Sequence, residues 1–106
     1  MRSIVRENKL LPGDRIIVPK SMFGVIQHHA IYLGKNHAGL DLIAENVVGK
    51  KVLVTTAESF TAQNGEITEI KRFIGSGLER KNAVERALRL INQPYDLINF
   101  NCENFA

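Results

Sequence analysis

The sequence predicts an α+β fold in which a small antiparallel sheet of about five strands is followed by a packed helix. Two observations predict this fold. Short apolar, β-branched segments alternate with turn residues through much of the chain, and one amphipathic helical pattern follows them. With 106 residues, 44% of them hydrophobic, the chain is long enough to bury one core. We therefore expect a single domain spanning residues 1–106.

The strands are predicted from apolar runs that turn residues delimit. Leu11–Asp14 is typical of a turn before the first strand, and Gly34–Gly39 is typical of a hairpin connection. Between the fourth and fifth strands, Thr55–Asn64 has room for one short helical turn. The five predicted strands are Arg15–Val18, His28–Leu33, Leu40–Asn46, Val52–Val54 and Ile67–Phe73.

The helix is predicted over Leu78–Asn92. Ser76 and Glu79 have the spacing of a capping box, in which both side chains bond to free backbone amides at the helix start. Pro94 prevents the helix from continuing. Apolar residues recur at helical spacing and define one face, which consists of Val84, Ala87, Leu88 and Ile91.

Composition and charge exclude several functional classes. No apolar run approaches the ~18 residues that a membrane-spanning helix needs. The charged first eleven residues lack a signal-peptide core, so we expect a cytoplasmic location. The formal net charge of +3 is spread along the chain and Trp is absent, which argues against a nucleic-acid partner. The same mild surplus is compatible with peripheral contact to an anionic membrane.

Cys102 is the only cysteine, which excludes an intrachain disulfide and a multi-thiolate zinc site. We expect no metal and no cofactor. Asn101 is a good helix N-cap, and a helix starting there would lower the pKa of the Cys102 thiol. The alternative is an inert buried thiol, the commoner state of a lone cysteine.

The histidines are the candidate bases for such a thiol. His37 falls in the predicted hairpin connection, where a solvated surface role is expected. His28 and His29 are neighbours on one strand and therefore point to opposite faces. His29 shares its face with the more apolar residues Ile31 and Leu33, so we expect that face to lie on the core and His28 to lie on the more polar face.

The predicted hairpin register suggests a partner for His28. If Gly34–Gly39 forms the loop, His28 faces Glu45, and Tyr32 faces Asp41. A carboxylate beside the ring would orient it and stabilise the imidazolium. A slip of one residue would bring Asn46 or Ala44 there instead. Asn46 could also orient the ring, whereas Ala44 could not. The alternative is an exposed Glu–His pair without consequence.

Three segments carry a family resemblance: Leu11–Asp14 (LPGD), Gln27–Gly34 (QHHAIYLG) and Asn101–Ala106 (NCENFA). Together they resemble the lecithin retinol acyltransferase-like family. The resemblance implies a circularly permuted papain-like fold, with the histidine before the cysteine in the chain. It also implies that His28 is the general base and Cys102 the nucleophile.

The chain departs from the family pattern at two positions. The family commonly has a second histidine on the third strand, where this chain has Glu45 and Asn46. The family also commonly has a histidine two residues after the cysteine, where this chain has Asn104. Glu45 or Asn46 must then supply the third catalytic group, and the register favours Glu45.

The resulting functional hypothesis is a thiol-dependent acyltransferase or phospholipase-like hydrolase that forms a Cys102 thioester. The resemblance alone implies a lipid or other acyl-ester substrate. One alternative is an amidase or peptidase with the same Cys–His dyad. The other is a non-catalytic interaction module that keeps the fold.

Overall fold

The computed structural model describes residues 3–19, 27–46, 52–64, 67 and 69–99, with the backbone alone at Pro19, Gln27, His28, Asn46, Asn64 and Tyr95. A 3-10 helix, Tyr95–Leu97, follows the last α-helix. No helix among the described residues has the length and apolar character needed to cross a membrane. The other elements are α1 (Ile4–Glu7), β1 (Arg15–Pro19), β2 (Gln27–Lys35), β3 (Asp41–Asn46), β4 (Val52–Thr56), α2 (Ala57–Asn64), β5 (Glu69–Lys71) and α3 (Gly77–Leu90).

The five strands form one antiparallel sheet in the order β4-β3-β2-β1-β5, which confirms the predicted α+β class. Strands β1 to β4 are a meander in which each strand pairs with the next. The chain then crosses to the opposite edge, where β5 pairs with β1. The helix α2 lies in this crossover and is longer than the single turn expected. The strand β5 is shorter than the predicted Ile67–Phe73.

Both faces of the sheet are covered. One core cluster joins α1 and α2 to the face that includes Ile16, Tyr32 and Ile43, and it contains Phe60 of α2. The second joins α3 to the opposite face. The prediction that only the His29 face lies on the core is therefore wrong, because Ala30 and Tyr32 are also buried. A sheet covered on both sides gives no clear polar face to its central strand.

The helix α3 confirms its predicted start and its apolar face. The Ser76 hydroxyl accepts a hydrogen bond from the Glu79 N–H at 3.1 Å, and the Glu79 carboxylate accepts one from the Ser76 N–H at 3.0 Å. Hydrogen bonds from the Ser76 backbone N–H and hydroxyl to the Glu79 carboxylate lower the pKa of Glu79. Val84 and Leu88 are buried against the sheet. Each buried side chain of this size stabilises the fold by about 1.5–3 kcal/mol.

A buried carboxylate fixes the turn that leads into β1. The Asp14 side chain is 0% exposed. It accepts hydrogen bonds from the backbone N–H groups of Leu11 at 3.0 Å and Phe73 at 2.9 Å. It also accepts bonds from Arg80 at 2.8 Å and from Arg72 at 3.1 Å. Four donors therefore compensate the loss of water around this charge.

Arg80 connects α3 to two other segments. Besides Asp14, its guanidinium donates to the carbonyls of Pro12 and Phe73, both at 2.8 Å. It also lies 5.2 Å from the centroid of the Phe73 ring, a cation–π distance. The buried ion pair thus positions the first turn of α3 against the turn before β1.

Replacing Arg80 by Met should lower the free energy of unfolding by about 3–5 kcal/mol, because Asp14 is left buried without its closest cation. Arg72→Met is the matched control. The Arg72 side chain is 49% exposed, and Arg80 remains beside Asp14, so its loss should cost about 1 kcal/mol or less. Urea unfolding of both variants at pH 7 measures the difference. Equal effects would contradict the dominant role of Arg80.

The same carboxylate predicts how stability depends on pH. Burial alone would raise the pKa of Asp14, but its hydrogen bonds, led by the one from Arg80, hold that pKa below its ordinary value. Its stabilising contribution is therefore complete above the unfolded-state pKa of about 4 and is lost as the pH falls through the lower folded-state value. Asp14→Asn should flatten this acid limb of an unfolding titration. An unchanged acid limb would assign the pH dependence to other groups.

Candidate functional site

The predicted site consists of Cys102, His28, Glu45 and Asn46, and the structure describes these positions to different extents. Cys102 and its predicted N-cap, Asn101, lie outside the described residues. His28 is described by its backbone, which pairs with Val18 of β1. Asn46 is likewise described by its backbone, which pairs with Val52 of β4. Glu45 has both its backbone and its side-chain burial described.

The predicted register of the β2–β3 hairpin is wrong by two residues. Glu45 pairs with Ala30 of β2 rather than with His28. The loop begins two residues and ends one residue later than predicted, because β2 runs on to Lys35 and β3 begins at Asp41, which moves the pairing beside the loop by three residues. A β-bulge between Tyr32 and Gly34 then moves the pairing back by one. A shift of two residues preserves the alternation of faces. Glu45 therefore lies on the same face of the sheet as predicted. Its partner on β2 is Ala30, two residues after the predicted partner His28.

Glu45 is buried, although it was predicted to face His28 on the more polar side of the sheet. It is 6% exposed, on the face that carries Ala30, Tyr32 and Ile43. Its other strand neighbour is Leu53 of β4. Few carboxylates are buried to this degree without a hydrogen-bonded or charged partner, and Glu45 has such an interaction.

A hydrogen-bonded cluster of Tyr32, Lys35 and Asp41 lies near the loop of this hairpin. The Tyr32 hydroxyl donates to the Asp41 carboxylate at 2.6 Å, and the Lys35 ammonium donates to the same oxygen at 2.9 Å. Tyr32 was predicted to pair with Asp41, but its partner in the ladder is Ile43. The long tyrosine side chain nevertheless reaches Asp41. This contact stabilises the end of the hairpin away from His28.

The segment that leads toward Cys102 is attached to the loop end of β2. Ile98 is buried on the α3 side of the sheet, and the Asn99 N–H donates to the Lys35 carbonyl at 2.7 Å. Gly34 allows this approach, since a Cβ there would lie 3.2 Å from Pro12 and 3.3 Å from Ile98. Its φ of +110° also favours glycine.

Of the two histidines outside the predicted site, His37 agrees with the expectation and His29 does not. His37 is exposed, as predicted, and one ring nitrogen lies 2.9 Å from the Asp96 carbonyl. His29 was expected on the core, but it is exposed and lines an apolar cleft on the α3 side of the sheet. Strand alternation predicted that His29 faces away from its neighbour, but nothing local signalled that this side chain would stay exposed.

No group of three or more His, Cys, Asp or Glu side chains converges on a metal position within the part of the chain that the structure describes. Comparison of the chain with protein families, curated proteins and solved structures finds no match. The resemblance to the lecithin retinol acyltransferase-like family therefore depends on the sequence motifs alone.

Paired cysteines distinguish the observed register from the predicted one. In a Cys102→Ser background, Ala30→Cys with Glu45→Cys should form a disulfide, because directly opposed residues lie about 4.5–5.5 Å apart between Cα atoms. His28→Cys with Glu45→Cys is the control. Those positions are diagonal neighbours, about 7–8 Å apart, and should stay reduced. Thiol titration after mild oxidation gives the result, and cross-linking of the control pair alone would restore the predicted register.

Proposed function

We propose that this protein is a cytoplasmic thiol-dependent acyltransferase or phospholipase-like hydrolase with a permuted papain-like fold. In this proposal Cys102 is the nucleophile, His28 is the general base and Glu45 is the group that orients the base. The substrate is a lipid ester, met at a membrane surface by peripheral contact. The buried carboxylate of Glu45 is the observation that supports the proposal most directly.

Glu45 supports the proposal because of where it is buried. It lies on a core face among apolar neighbours, and the residue it pairs with, Ala30, is two positions from His28 on the same strand. Burying a carboxylate here is unfavourable unless a charged or polar group compensates it. A carboxylate near a histidine stabilises the imidazolium form. This is the effect that a thiol enzyme requires from its third residue.

The proposed reaction has two transfers. His28 accepts the proton of the Cys102 thiol, and the thiolate attacks the ester carbonyl carbon. The bond between the carbonyl carbon and the alkoxy oxygen of the ester then breaks, the leaving alcohol takes the proton from His28, and a thioester remains on Cys102. Water, an alcohol or an amine attacks the thioester with His28 again as base. The acyl group leaves with the acceptor, and the thiol is restored.

The hydrogen bond from Asn99 to Lys35 limits how close Cys102 can come to His28. Cys102 follows Asn99 by three residues, which span at most about 11 Å when extended. The stretch of β2 from Lys35 back to His28 covers about 23 Å when straight. Contact therefore requires the chain after Asn99 to run back along β2. The bend at the bulge and the lengths of the two side chains must close the remaining distance.

Two variants test the nucleophile and the base. After incubation with phosphatidylcholine vesicles, mass spectrometry should find an acyl adduct on Cys102, and Cys102→Ser should abolish it because a hydroxyl is far harder to ionise. His28→Ala should slow adduct formation by about 10²-fold or more and raise the thiol pKa toward 8.5. His37→Ala, which removes an exposed histidine, is the control and should leave the rate unchanged.

The outcomes separate the rival functions. Turnover of peptide or amide substrates without an acyl adduct from phosphatidylcholine would indicate the amidase. A Cys102 of ordinary pKa, unreactive toward iodoacetamide and insensitive to His28→Ala, would indicate the interaction module.

Glu45→Gln tests the third residue. The pKa of His28, followed by NMR, should fall because an anionic neighbour is lost, and acylation should slow. Glu58→Gln removes an exposed carboxylate of α2 and should change neither quantity. If Asn46→Ala shifts the histidine titration and Glu45→Gln does not, Asn46 has the orienting role.

A further inference from the structure

We propose that the cleft between the C-terminal end of α3 and the sheet binds a single long-chain fatty acylate, with its alkyl chain in the cleft and its carboxylate at a cationic rim. The cleft has a volume of about 470 Å³, within the range of sites for one small ligand. It lies on the side of the sheet opposite Glu45. The proposal therefore does not depend on Cys102 chemistry.

The walls of the cleft are apolar. Ile31 and Ala44 contribute from the sheet, and Ala87 and Ile91 contribute from α3. Leu90 stands at the mouth and is 81% exposed, outside the buried stripe of α3. An exposed leucine beside an open apolar cleft adds to a surface that an alkyl chain would remove from water.

The rim of the cleft is cationic. Arg15 of β1 lines it and is paired in the sheet with Ile31 on one side and with Lys71 of β5 on the other. Directly opposed residues share a face, so two like charges stand side by side, which is destabilising. Neither Arg15 nor Lys71 forms an ion pair with any residue of the described chain.

An anion between these two side chains would relieve their repulsion. The exposed ring of His29, also in the cleft, adds a hydrogen-bond donor near the same rim. An apolar cleft with one unneutralised cation in its lining, Arg15, and a second beside it in the sheet, Lys71, fits a ligand that has an alkyl chain and one anionic head. A free fatty acylate has this chemistry. We therefore assign the site to this class rather than to a neutral lipid.

Binding of monomeric palmitate, measured by displacement of the fluorescent fatty acid cis-parinaric acid, tests the assignment on the full chain. Leu90→Glu should weaken binding by about tenfold or more, since it adds an anion at the mouth. Leu90→Lys removes the same apolar surface without the repulsion and should weaken binding much less. Leu78→Glu changes an exposed leucine of the same helix outside the cleft and should have no effect.

Arg15→Gln tests the head-group contact. It should weaken palmitate binding while leaving displacement by the uncharged hexadecanol unchanged, and Arg86→Gln, an exposed arginine of α3 outside the cleft, should change neither. Three results would overturn the proposal: no binding of palmitate by the unmodified protein, equal affinities for Leu90→Glu and Leu90→Lys, or binding of anionic vesicles without binding of monomeric palmitate. The last would indicate a membrane-contact surface instead.

Discussion

The contact between Asp14 and Arg80 is the interaction on which the arrangement of the described elements depends. The main chain at Asp14 also takes part in the sheet, because its carbonyl accepts from the Tyr32 N–H at 2.9 Å while the Gly13 N–H donates to the Tyr32 carbonyl at 2.8 Å. One residue therefore joins the start of β1, the middle of β2 and the first turn of α3. Because the Asp14 carboxylate is fully buried, these three segments cannot separate without exposing it to water or leaving it buried without its cation.

Much of the fold could be predicted from local signals. The turn before β1, the capping box at Ser76 and the apolar stripe of α3 depend on residues close together in the chain, and each lies where it was predicted. The exceptions have other causes. The β2–β3 loop begins later than its glycines suggested because β2 continues through Gly34 to Lys35, a bulge between Tyr32 and Gly34 offsets part of this change in register, and no residue pattern signals either feature. The partnership of Asp14 with Arg80 likewise leaves no local trace.

The site was less predictable than the fold for a physical reason. The polarity of residues on a central strand does not distinguish its two faces when both are covered. The face of Ala30 and Tyr32 was therefore predicted to be the more polar one, and His29 was predicted to lie on the core. Glu45 was selected from an incorrect pairing, yet the two-residue shift left it on the same side of the ladder. Its burial could not be inferred from sequence, since carboxylates are ordinarily exposed.

The separation of Asp14 and Arg80 by 66 residues has a consequence for the order of folding. The meander from β1 to β4 needs only contacts between neighbouring strands, which close short loops at small entropic cost. Docking of β5 and α3 needs the ends of a much longer loop to meet. Until α3 arrives, Asp14 has no buried cation beside it and its carboxylate must stay hydrated. Water can therefore leave the turn before β1 only late in folding, when the helix that excludes it brings the arginine as well.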